Sequence, residues 1–85
     1  MPPRPFVRLL LYSRPGCHLC ELMLDEIAGV LPENTYGVDI VDVDADSVIR
    51  ARWGHRIPVL MLGTELVCHG SLDPDKLRKA LAQLR

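Results

Sequence analysis

Two cysteines three residues apart follow an apolar run in "YSRPGCHLCE", residues 12–21. Depending on the backbone beneath them, Cys17 and Cys20 are nucleophiles, metal ligands or small apolar fillers. Residues at i and i+3 share one face of a helix, so this spacing lets the two sulfurs bond to each other. A cysteine in the first turn of a helix meets unpaired backbone N–H groups and the positive end of the helix dipole, and both favour the thiolate. Helix N-termini and Cys-x-x-Cys pairs commonly hold a thiol pKa at roughly 3.5–7.5. His18, between the cysteines, and Arg14, three residues before the first, bring positive charge to the same place. This local chemistry makes Cys17 the attacking thiolate and Cys20, one turn further in, the resolving thiol. A charged His18 would favour the reduced form and make the disulfide more oxidising.

A metal reading needs more ligands. Cys68 and His69 could join Cys17 and Cys20 in a four-ligand zinc or iron–sulfur site, but adjacent Cys-His is a poor second half for a tetrahedral centre. Cys68 reads instead as a strand residue packed in the core, and His69 as a turn histidine. Among the aspartates, strand alternation puts Asp42 and Asp44 on one face with Asp39 nearby, and Asp46 caps a helix. They read as a solvated acidic edge, not a metal cluster.

The elements that must position the cysteines follow from periodicity. After a Pro-rich start (Pro2, Pro3, Pro5), "FVRLLLYS" is a short apolar run ended by Ser13, Pro15 and Gly16, which predicts a buried strand over 6–13. Residues 17–30 switch to helical spacing, with Leu19, Leu22, Met23, Ile27 and Val30 in one stripe and Glu21, Asp25 and Glu26 pointing away. "YGVDIVDVDA" alternates as a strand with one face more polar than the other. "DSVIRARWG" predicts a short helix between an Asp46 N-cap and a Gly54 C-terminal cap, which leaves Trp53 at its end as a core residue. "IPVLMLG" and "ELVCHG" are two strands at hairpin spacing around Gly63 and Thr64. Asp73 and Pro74 open a last helix with Leu77, Leu81 and Leu84 inside.

The resulting order is β-α-β-α-β-β-α: a parallel crossover followed by an antiparallel hairpin, in one α/β domain spanning 1–85. Eighty-five residues bury only about 60–65% of the unfolded surface, a modest core that suffices without staples. The chain is 48% hydrophobic and 25% charged, with a formal net charge of −1. That balance gives no reason to expect nucleic acid or an anionic membrane as partner. The apolar runs are too short to span a bilayer, and "MPPRPF" carries no apolar signal core. Three cysteines are a poor framework for structural disulfides, so the expected setting is cytoplasmic and reducing.

With the site and the element order in view, the chain resembles a glutaredoxin-like member of the thioredoxin superfamily. "LLLYSRPGCHLC" is similar to the glutaredoxin strand-turn-helix. "VDVDADSVIRARWGHRIPVLMLG" resembles the second strand, second helix and Ile-Pro-Val start of the third strand. "HGSLDPDKL" resembles the glycine turn and start of the last helix. The resemblance implies a thioredoxin-like fold with a four-stranded mixed sheet flanked by three helices. It also implies that Pro58 is a cis-proline facing the cysteines and that Ile57 offers its backbone to a peptide-like substrate. Arg14 and the Gly70-Ser71 turn would contact the carboxylates of glutathione, with Arg56 a possible further charge. Thioredoxins proper carry an aspartate six residues before the first cysteine and a tryptophan directly before it, where this chain has Leu11 and Gly16. The glutaredoxin Cys-Pro-aromatic-Cys is here Cys17-His18-Leu19-Cys20.

The expected function is thiol–disulfide exchange through Cys17 and Cys20 on a disulfide-containing protein or a glutathione mixed disulfide. The expected protein is a monomer with no built-in cofactor or metal, and glutathione is a possible co-substrate. The alternative is a non-catalytic thioredoxin-fold module that carries a metal or iron–sulfur cluster or binds a protein partner.

Overall fold

The apolar run near the start forms β1 (Val7–Ser13), which buries Leu9, Leu11 and Ser13 on one face and leaves Arg8, Leu10 and Tyr12 exposed or half-buried on the other. A computed structural model of the chain describes residues 6–84, so the Pro-rich start lies outside the described residues. β1 is an inner strand of a four-stranded sheet ordered β2-β1-β3-β4. β2 (Tyr36–Asp42) runs parallel to it, β3 (Val59–Leu62) antiparallel, and β4 (Glu65–His69) antiparallel to β3. Three helices complete the chain: α1 (His18–Val30), α2 (Ser47–Trp53) and α3 (Pro74–Ala82). The element order and the mixed sheet are those expected of a thioredoxin-like fold.

α1 and α3 supply the core over one face of the sheet. Met23 and Ile27 of α1 and Leu77 and Ala80 of α3 pack with Leu9, Leu11, Leu60 and Cys68. Each fully buried aliphatic side chain there stabilises the fold by about 1.5–3 kcal/mol. Cys68 therefore lies in the core, as its strand position predicts. Local chemistry sets the element ends. The Asp46 carboxylate accepts from the N–H groups of Val48 and Ile49, and that of Asp73 accepts from Lys76 N–H, so both predicted N-caps are made. The β3–β4 hairpin turns on Gly63 and Thr64, with Leu62 opposite Glu65. Gly63 has φ +60, the left-handed conformation that a two-residue hairpin turn needs at its first central position.

Four expectations are corrected. The second strand stops at Asp42 and does not run on through "VDA", because the Asp42 carboxylate accepts from Asp44 N–H at 2.9 Å and starts a 3-10 turn over Val43–Ala45. Leu19 and Leu22 are not in the core-facing stripe of α1. They are 51% and 45% exposed, because the buried arc is taken by Cys20, Met23 and Ile27 and the leucines fall on its flank. Leu84 is likewise exposed, since α3 ends at Ala82 and its apolar face ends there too. Trp53 is half-buried, not core. α2 is only seven residues long and has no fully buried residue, and its tryptophan stacks on Tyr12 of the sheet, with ring centroids 5.6 Å apart and planes at 16°.

Among the described residues no helix is long and apolar enough to cross a membrane. The burial pattern yields a paired stability test. Leu77→Ala removes a side chain with no exposed surface and should lower the unfolding free energy by about 2–5 kcal/mol. Leu84→Ala should change it by no more than about 0.5 kcal/mol. Urea titrations followed by circular dichroism measure both; equal losses would contradict the placement of Leu84.

Candidate dithiol active site

The chain leaves β1 through Arg14-Pro15-Gly16-Cys17. Cys17 N–H donates to the Arg14 carbonyl at 3.1 Å, and Gly16 has φ +76. Proline followed by a glycine of positive φ, closed by this hydrogen bond, is the signature of a type II β-turn. Proline stiffness is thus supplied ahead of the cysteine pair instead of inside it. The turn delivers Cys17 to the N-cap of α1 and not, as the spacing suggested, to its first turn. There its Sγ accepts the backbone N–H of Cys20 at 3.3 Å, while its carbonyl accepts Glu21 N–H at 3.2 Å. A sulfur therefore does the work that serine or aspartate does at other helix starts.

Cys17 and Cys20 are disulfide-bonded, with Cα atoms 5.3 Å apart. Cys17 is half-buried and Cys20 buried, so approach from solvent is to Cys17. His18 is exposed at the first position of α1. Cys68 stands apart from this chemistry: burial pushes its thiol pKa up, and it remains a free, protonated thiol at neutral pH.

The register brings several other predicted residues to the same end of the sheet. Val59 pairs with Tyr12 near the end of β1 and with His69 at the end of β4. The Ile57–Pro58 peptide is cis, Pro58 is buried and Ile57 half-buried. Gly70 N–H donates to the Pro58 carbonyl at 2.8 Å, which ties the glycine turn to the proline loop. Ser71, next to it, is exposed and lines a shallow groove with Cys68, His69 and Asp73.

Arg14 has a partner that the sequence reading did not supply. Its Nε and Nη2 donate to the two carboxylate oxygens of Asp44 at 2.6 and 3.0 Å. The hydrogen bond to Arg14, with added attraction from Arg14 and Arg50, holds the Asp44 carboxyl below the usual carboxylate range, and the Arg14 pKa is raised in turn. The aspartates are therefore not a merely solvated edge: Asp39 pairs with Arg8, Asp42 caps the 3-10 turn, Asp44 holds Arg14 and Asp46 caps α2. No signal in the sequence relates Arg14 to Asp44, which are thirty residues apart. Among the described residues, no three His, Cys, Asp or Glu side chains are grouped so as to hold a metal ion.

The Arg14–Asp44 pair has a pH signature. Because the folded-state pKa of Asp44 is depressed, its contribution is present above the unfolded value near 3.9 and is lost as pH falls through the folded value. Asp44→Asn should lower the urea midpoint at neutral pH, and the gap to wild type should close below about pH 4. It should also shrink with added salt, since the pair is exposed. A gap that persists at low pH would show that the aspartate acts through packing instead.

A profile for the Glutaredoxin-like domain (DUF836) matches residues 8–82. Uncharacterized proteins of Mycobacterium bovis and Mycobacterium tuberculosis are 29% identical over 85 residues, covering 94% of this chain and 86% of theirs. Among solved structures, the X-ray structure of the X. campestris protein XcR50 superposes with a TM-score of 0.71 at 27% identity, covering 91% of this chain and 99% of that one. The solution structure of Nitrosomonas europaea protein Ne2328 superposes with a TM-score of 0.81 at 24% identity, covering 94% and 96%. The fold, the cysteine pair on its strand-to-helix turn and the profile match over nearly the whole chain agree: this protein belongs to the Glutaredoxin-like (DUF836) family.

Proposed function

We propose that the protein is a thiol–disulfide oxidoreductase acting through Cys17 and Cys20. One observation carries the reading: the Cys17 sulfur is the N-cap of α1, within hydrogen-bond reach of a backbone N–H and bonding reach of Cys20. A reduced Cys17 at that position gains an amide donor and the helix dipole, which act on the thiolate and not on the neutral thiol. The family match supports the same chemistry.

In the reducing direction the Cys17 thiolate attacks one sulfur of a substrate disulfide RS–SR′. A Cys17–SR mixed disulfide forms and R′S⁻ leaves, taking up a proton. Cys20, once deprotonated, attacks the Cys17 sulfur and expels RS⁻, which also takes up a proton. The Cys17–Cys20 disulfide is restored, and two electrons and two protons have passed to the substrate. Two equivalents of a small thiol such as glutathione, or one external dithiol, return the pair to the reduced state. His18 places an imidazole beside the attacking sulfur, and Arg14, Ile57, Pro58, Gly70 and Ser71 form the surround in which a peptide-like disulfide or glutathione mixed disulfide is held. Cys20 is shielded, so external disulfides meet Cys17 first. Cys68, kept protonated by burial, takes no part.

Rapid alkylation of the reduced protein against pH tests this on wild type, Cys17→Ser and Cys20→Ser, with reduction of a glutathione mixed disulfide as the activity. The expected result is one fast thiol titrating well below about 8.5, lost only in Cys17→Ser together with turnover. Cys20→Ser should stall as a mixed disulfide on Cys17 that mass spectrometry detects, and Cys68 should label only on unfolding. An unshifted thiol in all three proteins would refute the mechanism.

A further inference from the structure

The cations of the chain are not spread evenly. From Ser47 to Thr64 there is no Asp or Glu, yet Arg50, Arg52, His55 and Arg56 fall within that stretch, and all four are exposed. The ion pairs found among the described residues are Arg8–Asp39, Arg14–Asp44 and Arg78–Asp75, none of which uses these arginines. Arg50 lies close enough to Asp44 to add to the attraction on its carboxylate. Arg52 and Arg56, with His55 between them, are left as a cationic turn.

Two contacts fix where that turn sits. Trp53 stacks on Tyr12, close to the end of β1 that leads into the Cys17 turn, and the Arg52 guanidinium lies over the Trp53 ring, 5.1 Å from its centroid. Arg56 N–H donates to the Trp53 carbonyl at 2.8 Å, closing the turn one residue before Ile57–Pro58. The stack thus holds the end of α2 at the dithiol end of the sheet. It also restrains Arg52 from ranging freely, so less side-chain entropy is lost when an anion binds.

The geometry points to a substrate class: disulfides in acidic polypeptide segments, docked with their carboxylates on Arg52, His55 and Arg56 while the disulfide lies at Cys17. This rests on the dithiol reading above and adds to it the chemistry of the partner. The surface is too small, and the chain too near neutral at −1, to favour a nucleic-acid backbone over a few carboxylates. Nor is it a general attraction of the whole molecule, since the formal net charge is −1 while Arg52 and Arg56 stand together in a stretch without Asp or Glu. Its effect should be on encounter rate and orientation, as with other charges at the rim of a contact.

The test compares three disulfide peptides that differ only in flanking residues, Glu, Gln or Lys, by their second-order rate constants with the reduced protein. Wild type should reduce the Glu peptide about tenfold faster than the Lys peptide at low salt, and the ratio should fall towards one in ~0.5 M salt. In Arg52→Gln/Arg56→Gln the ratio should be near one at all salt concentrations. In Arg52→Glu/Arg56→Glu it should invert in favour of the Lys peptide, an outcome that misfolding cannot produce. Equal rates for all three peptides with wild type would overturn this inference alone and leave the dithiol reading standing. Failure of wild type to reduce any of them, or a small neutral disulfide, would overturn both. Salt-sensitive binding of a single-stranded oligonucleotide by wild type, lost in the glutamine variant and with no peptide preference, would reassign the patch to nucleic acid and refute the proposal.

Discussion

The backbone hydrogen bond from Cys17 to Arg14 is the constraint on which the site depends. A strand and a helix are joined here by four residues, Arg14 to Cys17, and a tight turn with a left-handed glycine makes the connection. Closing the turn places the cysteine where the helix needs an acceptor for its unpaired N–H groups, and the sulfur fills that need. The helix start is completed by the group that the helix start activates. Any lengthening of the turn would leave the amides uncapped and move the sulfur off the dipole.

Around that turn the charges are divided between holding the fold and facing solvent. Arg14 is directed into a two-pronged pair with Asp44, which ties the exit of β1 to the 3-10 turn after β2. An arginine has five N–H donors, so the pair leaves others for a ligand, but it fixes the plane in which they lie. The proline loop is anchored in the same manner, since the Pro58 carbonyl is taken by Gly70. The residues that flank the dithiol are thus held mostly by one another.

The two faces of the sheet are built differently, and this explains where the sequence reading erred. Under α1 and α3 the apolar residues meet helices two to four turns long, and the expected core residues Met23, Ile27 and Leu77 are fully buried. On the other face α2 has about two turns and no fully buried residue. Trp53 therefore lies flat on Tyr12 instead of entering a core. Helical periodicity marked Leu19 and Leu22 as apolar but could not say which part of the apolar arc would be covered. That depends on the angle at which α1 crosses the sheet. The aspartate run deceived in another way: alternation suggested one continuing strand, while a short carboxylate can capture a nearby N–H and end it.

What the sequence by itself determined is local in origin. The position of the dithiol, the order of the elements, the Asp46 and Asp73 caps and the hairpin at Gly63 all depend on groups within about four residues of each other, where bonding and periodicity leave few choices. Only the tertiary structure decided that Arg14 meets Asp44, that Trp53 covers Tyr12, and that Gly70 holds the Pro58 carbonyl. Those contacts follow from which strands pair and in what register. Register is set by the summed packing of the whole core and is not a property of any one segment.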